Sequence, residues 1–80
     1  MNQEEKVQYI HEAYWEDIDE AVHGEAWFRE APGGYQRPPY ARIAREAAAR
    51  HRKERKRNPL LPHLLVEDFR NYMTWAYEDA

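Results

Sequence analysis

The stretch YARIAREAAARHRKERKRN, residues 40–58, sets the fold. Alanine, arginine, lysine and glutamate fill most of it, and all are strong helix formers. At about 100° per residue, Tyr40, Ile43, Ala44, Ala47 and His51 share one side. The other side carries Arg42, Arg45, Arg52, Lys53 and Lys56, with Arg50 and Arg57 at its edge. After Ala49 no aliphatic or aromatic residue appears in this helix. Its last two turns are therefore expected to leave the core and stand in solvent or in a partner. The bases there also suit the negative C-terminal end of a helix dipole.

Outward from this helix the chain punctuates itself. Asn58-Pro59 stops it, since a residue before proline avoids the helical region. Leu60, Leu61 and Pro62 make a tight apolar connection. A further helix is predicted over 62–78, with Leu65, Val66, Phe69, Tyr72, Met73, Ala76 and Tyr77 on one stripe. Leu64 and Trp75 fall outside that stripe. On the N-terminal side, residues 31–39 read APGGYQRPP, a Pro/Gly loop. Pro39 suits the first turn of the new helix, where a missing N–H costs nothing. Before the loop, Val7, Ile10, His11, Tyr14, Trp15, Ile18, Ala21 and Val22 trace one arc of a helix over about 3–30. Glu5, Glu12, Glu16, Asp19 and Glu20 lie opposite. Asn2 and Glu5 have the spacing of a capping box, and Gly24 is expected to break the helix. Glu25 to Glu30 then form a short piece presenting Trp27 and Phe28. The fold class is all-α: a small three-helix arrangement in one domain, residues 1–80.

Size and composition limit what this domain can be. Eighty residues bury a thin core. With no cysteine, neither a disulfide nor a cysteine zinc site can staple it. Three Trp, six Tyr and two Phe supply bulk for a small core or anchors for an interface. The thin core also admits a homodimer, which sedimentation would read. No run approaches the roughly 20 apolar residues of a membrane span. The polar, acidic start Met1 to Lys6 lacks the pattern of a signal peptide. A cytoplasmic protein without a membrane partner is expected.

Catalytic chemistry finds few footholds. The chain has no Ser or Cys, and Thr74 stands without a base spaced to activate it. His11, His23, His51 and His63 include no i, i+4 pair, and HExxH is absent. Gly33-Gly34 lacks the frame of a phosphate loop and is bounded by prolines. No catalytic residue, metal ligand or cofactor is assigned, and the expectation is a non-enzymatic protein.

Charge is the sharper signal. Residues 1–31 hold nine acids against Lys6 and Arg29, a balance of −7. Residues 32–57 hold nine bases against Glu46 and Glu54, a balance of +7. Residues 58–80 hold four acids against Arg70, a balance of −3, which brings the total to −3. The stretch 41–58 puts nine basic or histidine side chains on one helix, a field that attracts phosphates or carboxylates. It resembles the arginine-rich RNA-binding helices of phage antitermination proteins over those 18 residues. That resemblance implies direct RNA contact by the helix.

Two functional readings follow. In the first, a small regulator or inhibitor docks on a larger protein or nucleoprotein. Arg42, Arg45, Arg50, Arg52, Lys53, Arg55, Lys56 and Arg57 supply charge, and Trp75 and Leu64 supply apolar anchors. A short cysteine-free chain without chemistry matches, in size and style, the inhibitors that phages and mobile elements carry against host machinery. In the second, the same helix binds RNA or DNA directly. A self-paired basic face is the competing possibility, because the first segment carries the opposite charge.

Overall fold

The computed structural model describes residues 1–24 and 38–78. Three helices make up the described fold: α1 (Gln3–His23), α2 (Tyr40–Arg57) and α3 (Val66–Tyr77). The expected short piece at 25–30, with Trp27 and Phe28, and residues 31–37 of the loop lie outside the described residues.

Helix α1 starts as its sequence predicts. The Asn2 side chain accepts from the Glu5 N–H at 2.8 Å, and Glu5 answers by accepting from the Asn2 N–H. Each bond satisfies a donor that the first turn would otherwise leave open. The helix ends at His23, with Gly24 already extended. A Cβ at Gly24 would stand 2.6 Å from the Glu20 carbonyl oxygen, so only glycine fits this exit without a shift. Along α1, Ile10, Tyr14, Ile18 and Val22 are buried, an i, i+4 series that forms the inner stripe.

Helix α2 begins one residue later than its proline suggested. Pro39 is the N-cap, and its carbonyl accepts from the Ile43 N–H at 3.0 Å. The third helix departs further from expectation. It starts at Val66, not at residue 62; residues 62–65 lie outside it, and Leu65 is extended. The cap explains the late start. Asp68 reaches back to accept from the Leu65 N–H at 2.7 Å, which fixes the entry one residue before Val66. The carbonyl of Pro62 is meanwhile held by His51 of α2 at 2.7 Å. Outside the helix, Leu64 is 7 % exposed and joins the core.

The helices run up, down and up. Tyr14 meets His51 and Asp17 meets Arg50, so α1 and α2 are antiparallel. Lys6 lies beside Asp68 and Asp19 beside Tyr77, so α1 and α3 are parallel. The core closes with Ile43, Ala44 and Ala48 of α2 and Phe69, Tyr72 and Met73 of α3. Alanines let α2 approach closely, while the aromatic rings of the other helices supply volume. At the far end, the Tyr77 hydroxyl donates to Asp19 at 3.1 Å. Burial, and then this bond, push the Tyr77 phenol pKa up.

Asp68 is the test of the α3 entry. Its side chain is 11 % exposed, caps Leu65 and lies 3.7 Å from the Lys6 ammonium. Asp68→Ala is expected to lower stability by about 0.5–2 kcal/mol, the usual range for a lost cap. Urea denaturation reads the loss, and a change below about 0.3 kcal/mol would show that the cap does not set this helix start.

Candidate binding face of the second helix

The second half of α2 is only partly what its sequence predicts. Its inner face is not in solvent. His51 is 1 % exposed, and Glu54 and Arg55 are half-buried. This is a correction to the expectation that residues 50–57 have nothing to bury. What they bury is polar. His51 Nδ1 lies 2.6 Å from the Tyr14 hydroxyl, and His51 Nε2 lies 2.7 Å from the Pro62 carbonyl oxygen. The Tyr14 hydroxyl also lies 2.5 Å from Glu54 Oε2. Burial, and then the hydrogen bond to Glu54, push the Tyr14 phenol pKa up. Rings of Tyr9 and Phe69 stand 5.9 and 6.3 Å from the imidazole. Hydrogen bonds thus replace apolar burial as the attachment of the last two turns.

Two of the eight candidate bases are consumed by this attachment. Arg50 donates to Asp17 of α1 at 2.8 Å and lies 3.7 Å from Glu54. Arg55 donates from Nε to the Leu61 carbonyl at 3.2 Å, and its guanidinium meets His63 at 3.1 Å. These two arginines tie α2 to its neighbours rather than facing a partner. The Arg50–Asp17 pair is about half exposed on both sides. It is therefore worth at most about 1 kcal/mol and mainly sets helix orientation.

The other six, Arg42, Arg45, Arg52, Lys53, Lys56 and Arg57, are exposed. Five of them, all but Arg57, fall within about 100° of arc opposite the core, interrupted only by Ala49. From Arg42 to Lys56 the row extends about 21 Å at about 1.5 Å per residue. Among the described residues, Arg45, Arg52, Lys53, Lys56 and Arg57 form no ion pair. Pairing with the acids of α1 thus absorbs Arg50 and leaves these five bases without an ion pair.

The two apolar candidates separate. Trp75 is 58 % exposed and lies in the seam between α1 and α3, its ring 5.5 Å from that of His11. Leu64 lies outside α3, in the core, and cannot serve as a surface anchor. Trp15, which the helical arc placed inside, is 47 % exposed. It sits at the edge of the arc.

A cleft of about 240 Å³ lies between α1 and α2, with Tyr14, Ile18, Ile43 and Ala47 in its lining and Asp17, Glu46 and Arg50 as its charged groups. Two of these charges, Asp17 and Arg50, are already paired with each other. Among the described residues no three His, Asp or Glu side chains are grouped as metal ligands. None of the described helices is long and apolar enough to cross a membrane. Fold and surface together define an all-α three-helix domain with one basic outer face. Comparison with known protein families, curated proteins and solved structures returns no match.

Proposed function

We propose that this chain is a non-enzymatic regulatory or inhibitory protein that docks on the anionic surface of a larger protein or nucleoprotein through the outer face of α2. One observation carries the reading. Arg45, Arg52, Lys53, Lys56 and Arg57 stay exposed and form no ion pair among the described residues, although the same chain holds an acidic helix that could have neutralised them. Aligned charges of one sign raise encounter rates and fix register with a complementary surface. Trp75 and Trp15, exposed beside the α1–α3 seam, add aromatic area of the kind that anchors interfaces.

The packing favours a surface over a groove. The inner side of α2 is spent on the core, so the helix offers one face and not its circumference. A deep nucleic-acid groove that wraps a helix would collide with α1 and α3. The total charge of −3 and the acids on α1 also oppose a polyanion that tries to cover more than the row itself. Direct nucleic-acid binding is the second reading. Its support is the exposed pair Arg45 and Arg52, because arginine pairs bidentately with phosphate.

The test is capture from a lysate of the natural host, with and without nuclease, read beside binding of a labelled RNA and a DNA duplex. One dominant protein that survives nuclease is the expected result. Loss of that species after nuclease, with RNA or duplex binding that weakens steeply with salt, would replace the first reading by the second.

A further inference from the structure

We propose that the chain of contacts Glu54–Tyr14–His51–Pro62 is a partly buried proton-binding site, at which the folded protein holds one proton more than an ionised carboxylate, a phenol and a neutral imidazole supply. Counting hydrogens leads to this. Three gaps of 2.5, 2.6 and 2.7 Å separate Glu54 Oε2, the Tyr14 hydroxyl, the two His51 ring nitrogens and the Pro62 carbonyl. Each gap is of hydrogen-bond length and needs one hydrogen. The proline carbonyl has none to give, so His51 Nε2 must carry one. The phenol has one. An ionised Glu54 has none. Two hydrogens cannot fill three gaps, and an empty gap at this distance sets lone pair against lone pair.

The third hydrogen has two places to sit. On His51 Nδ1 it makes an imidazolium, which donates to the Tyr14 oxygen while Tyr14 donates to the Glu54 carboxylate. On Glu54 it makes a carboxylic acid, which donates to Tyr14 while Tyr14 donates to a neutral imidazole. Either way the site holds the same extra proton. The 2.5 Å contact matches a hydroxyl donating to an ionised carboxylate, which favours the imidazolium. Tyr14 itself is not the titrating member, because burial and Glu54 keep its phenol protonated.

Among the described residues, the neighbours of the imidazole come from all three helices. From α1 come the phenols of Tyr9 and Tyr14. On α2, Glu54 favours the proton, while Arg50, 3.7 Å from Glu54, opposes it. Arg55 is turned to Leu61 and His63 of the connection. From α3, Phe69 presents only a ring, and Asp68 is engaged by Leu65 and Lys6. Glu54 is the one carboxylate bonded into the chain. The proton therefore joins α1, α2 and the 58–65 connection at a single point behind the basic row, whatever that row binds.

The sign of the pH dependence follows. Below the ordinary histidine value of about 6.5 the unfolded chain carries the proton too, and the stabilisation is fully present. As pH rises beyond that, the folded state alone keeps it. Stability then falls until the folded site releases the proton. In that window one bound proton costs about tenfold in the folding equilibrium per pH unit. Glu54→Gln removes the requirement, because the amide N–H supplies the third hydrogen while neutral His51 and Tyr14 supply the others.

The experiment uses the full chain. Long-range ¹H–¹⁵N spectra of the His51 ring and the Glu54 carboxyl ¹³C shift are followed over about pH 5.5–9, spanning the ordinary histidine value. Urea stability is measured for wild type and Glu54→Gln over the same range. The expected result is a third proton, on Nδ1 or on Glu54, that persists after a free imidazole has titrated. The accompanying pH slope should be present in wild type and lost in Glu54→Gln. A ring that loses its Nδ1 proton in step with free imidazole while Glu54 reads ionised would overturn the proposal. So would equal pH slopes in the two proteins. Should Glu54→Gln fail to fold, the wild-type spectra decide alone.

Discussion

Phe69→Ala is expected to lower stability by about 3–5 kcal/mol, the usual range for a fully buried aromatic cut to a methyl. Phe69 is 0 % exposed. Its ring stands 5.8 Å from Tyr14 and 6.3 Å from His51, at the junction of all three helices. An 80-residue domain holds about 4–12 kcal/mol in all, at the usual stability per residue. One such truncation therefore removes much of the total, and a chain at the low end unfolds outright. The loss should exceed simple transfer for a further reason. The cavity would open beside the imidazole, where entering water competes for the Tyr14 and Pro62 bonds. Urea denaturation followed by Trp fluorescence checks the magnitude. Trp75→Ala is the matched control, because that ring is 58 % exposed; it should stay within about 1 kcal/mol. Equal losses at the two positions would show that the core is not centred on Phe69.

Helix spacing made the apolar framework legible. Of the eight residues in the expected α1 arc, its central i, i+4 series Ile10, Tyr14, Ile18 and Val22 is buried, Val7 and His11 are half-buried, and Trp15 and Ala21 at the edges are exposed. Phe69, Tyr72 and Met73 were equally readable from their shared stripe. The polar part of the interior was harder to read. A search for aliphatic and aromatic side chains finds none after Ala49, yet the inner line of α2 continues there through His51 and Glu54. His51 shares the azimuth of Tyr40 and Ala44, and Glu54 follows it at i+3. A buried polar line of this sort is held by partners distant in sequence, such as Tyr14 and Pro62, and no local pattern announces them.

The entry to α3 shows the same limit in another form. Proline at position 62 suits a helix start, and of the expected stripe Phe69, Tyr72 and Met73 are buried, whereas Leu65 is the N-cap and 53 % exposed and Ala76 is exposed. Leu64 was the warning, since a leucine off the stripe of a half-buried helix has nowhere to go. Outside the helix it is buried without conflict, and the Asp68 cap makes the preceding segment end at Leu65. Trp75 was off-stripe for the other reason. It belongs to the helix and remains at the surface.

The basic row permits a substitution that separates binding from folding. Changing Arg45, Arg52, Lys53, Lys56 and Arg57 together to alanine is expected to reduce partner capture by at least about a hundredfold. Five contacts at about 0.5–1 kcal/mol each, four of them from the aligned row and the fifth from Arg57 beside it, account for that much. The helix itself should survive. These five side chains are exposed, none forms an ion pair among the described residues, and alanine is the best helix former. The main cost is the lost interaction of Lys56 and Arg57 with the helix dipole, about 0.3–1 kcal/mol each. Choosing residues by charge alone would have taken Arg55 in place of Arg45 and confounded the result. Arg55 holds the Leu61 carbonyl, and its removal loosens the connection that His51 also grips. Circular dichroism and urea midpoints establish that the variant is folded, and capture at two salt concentrations reads the binding. A folded variant that captures its partner undiminished would move the interface to the Trp15 and Trp75 flank. In that case the open charges of α2 serve solubility, and salt should leave the wild-type affinity unchanged.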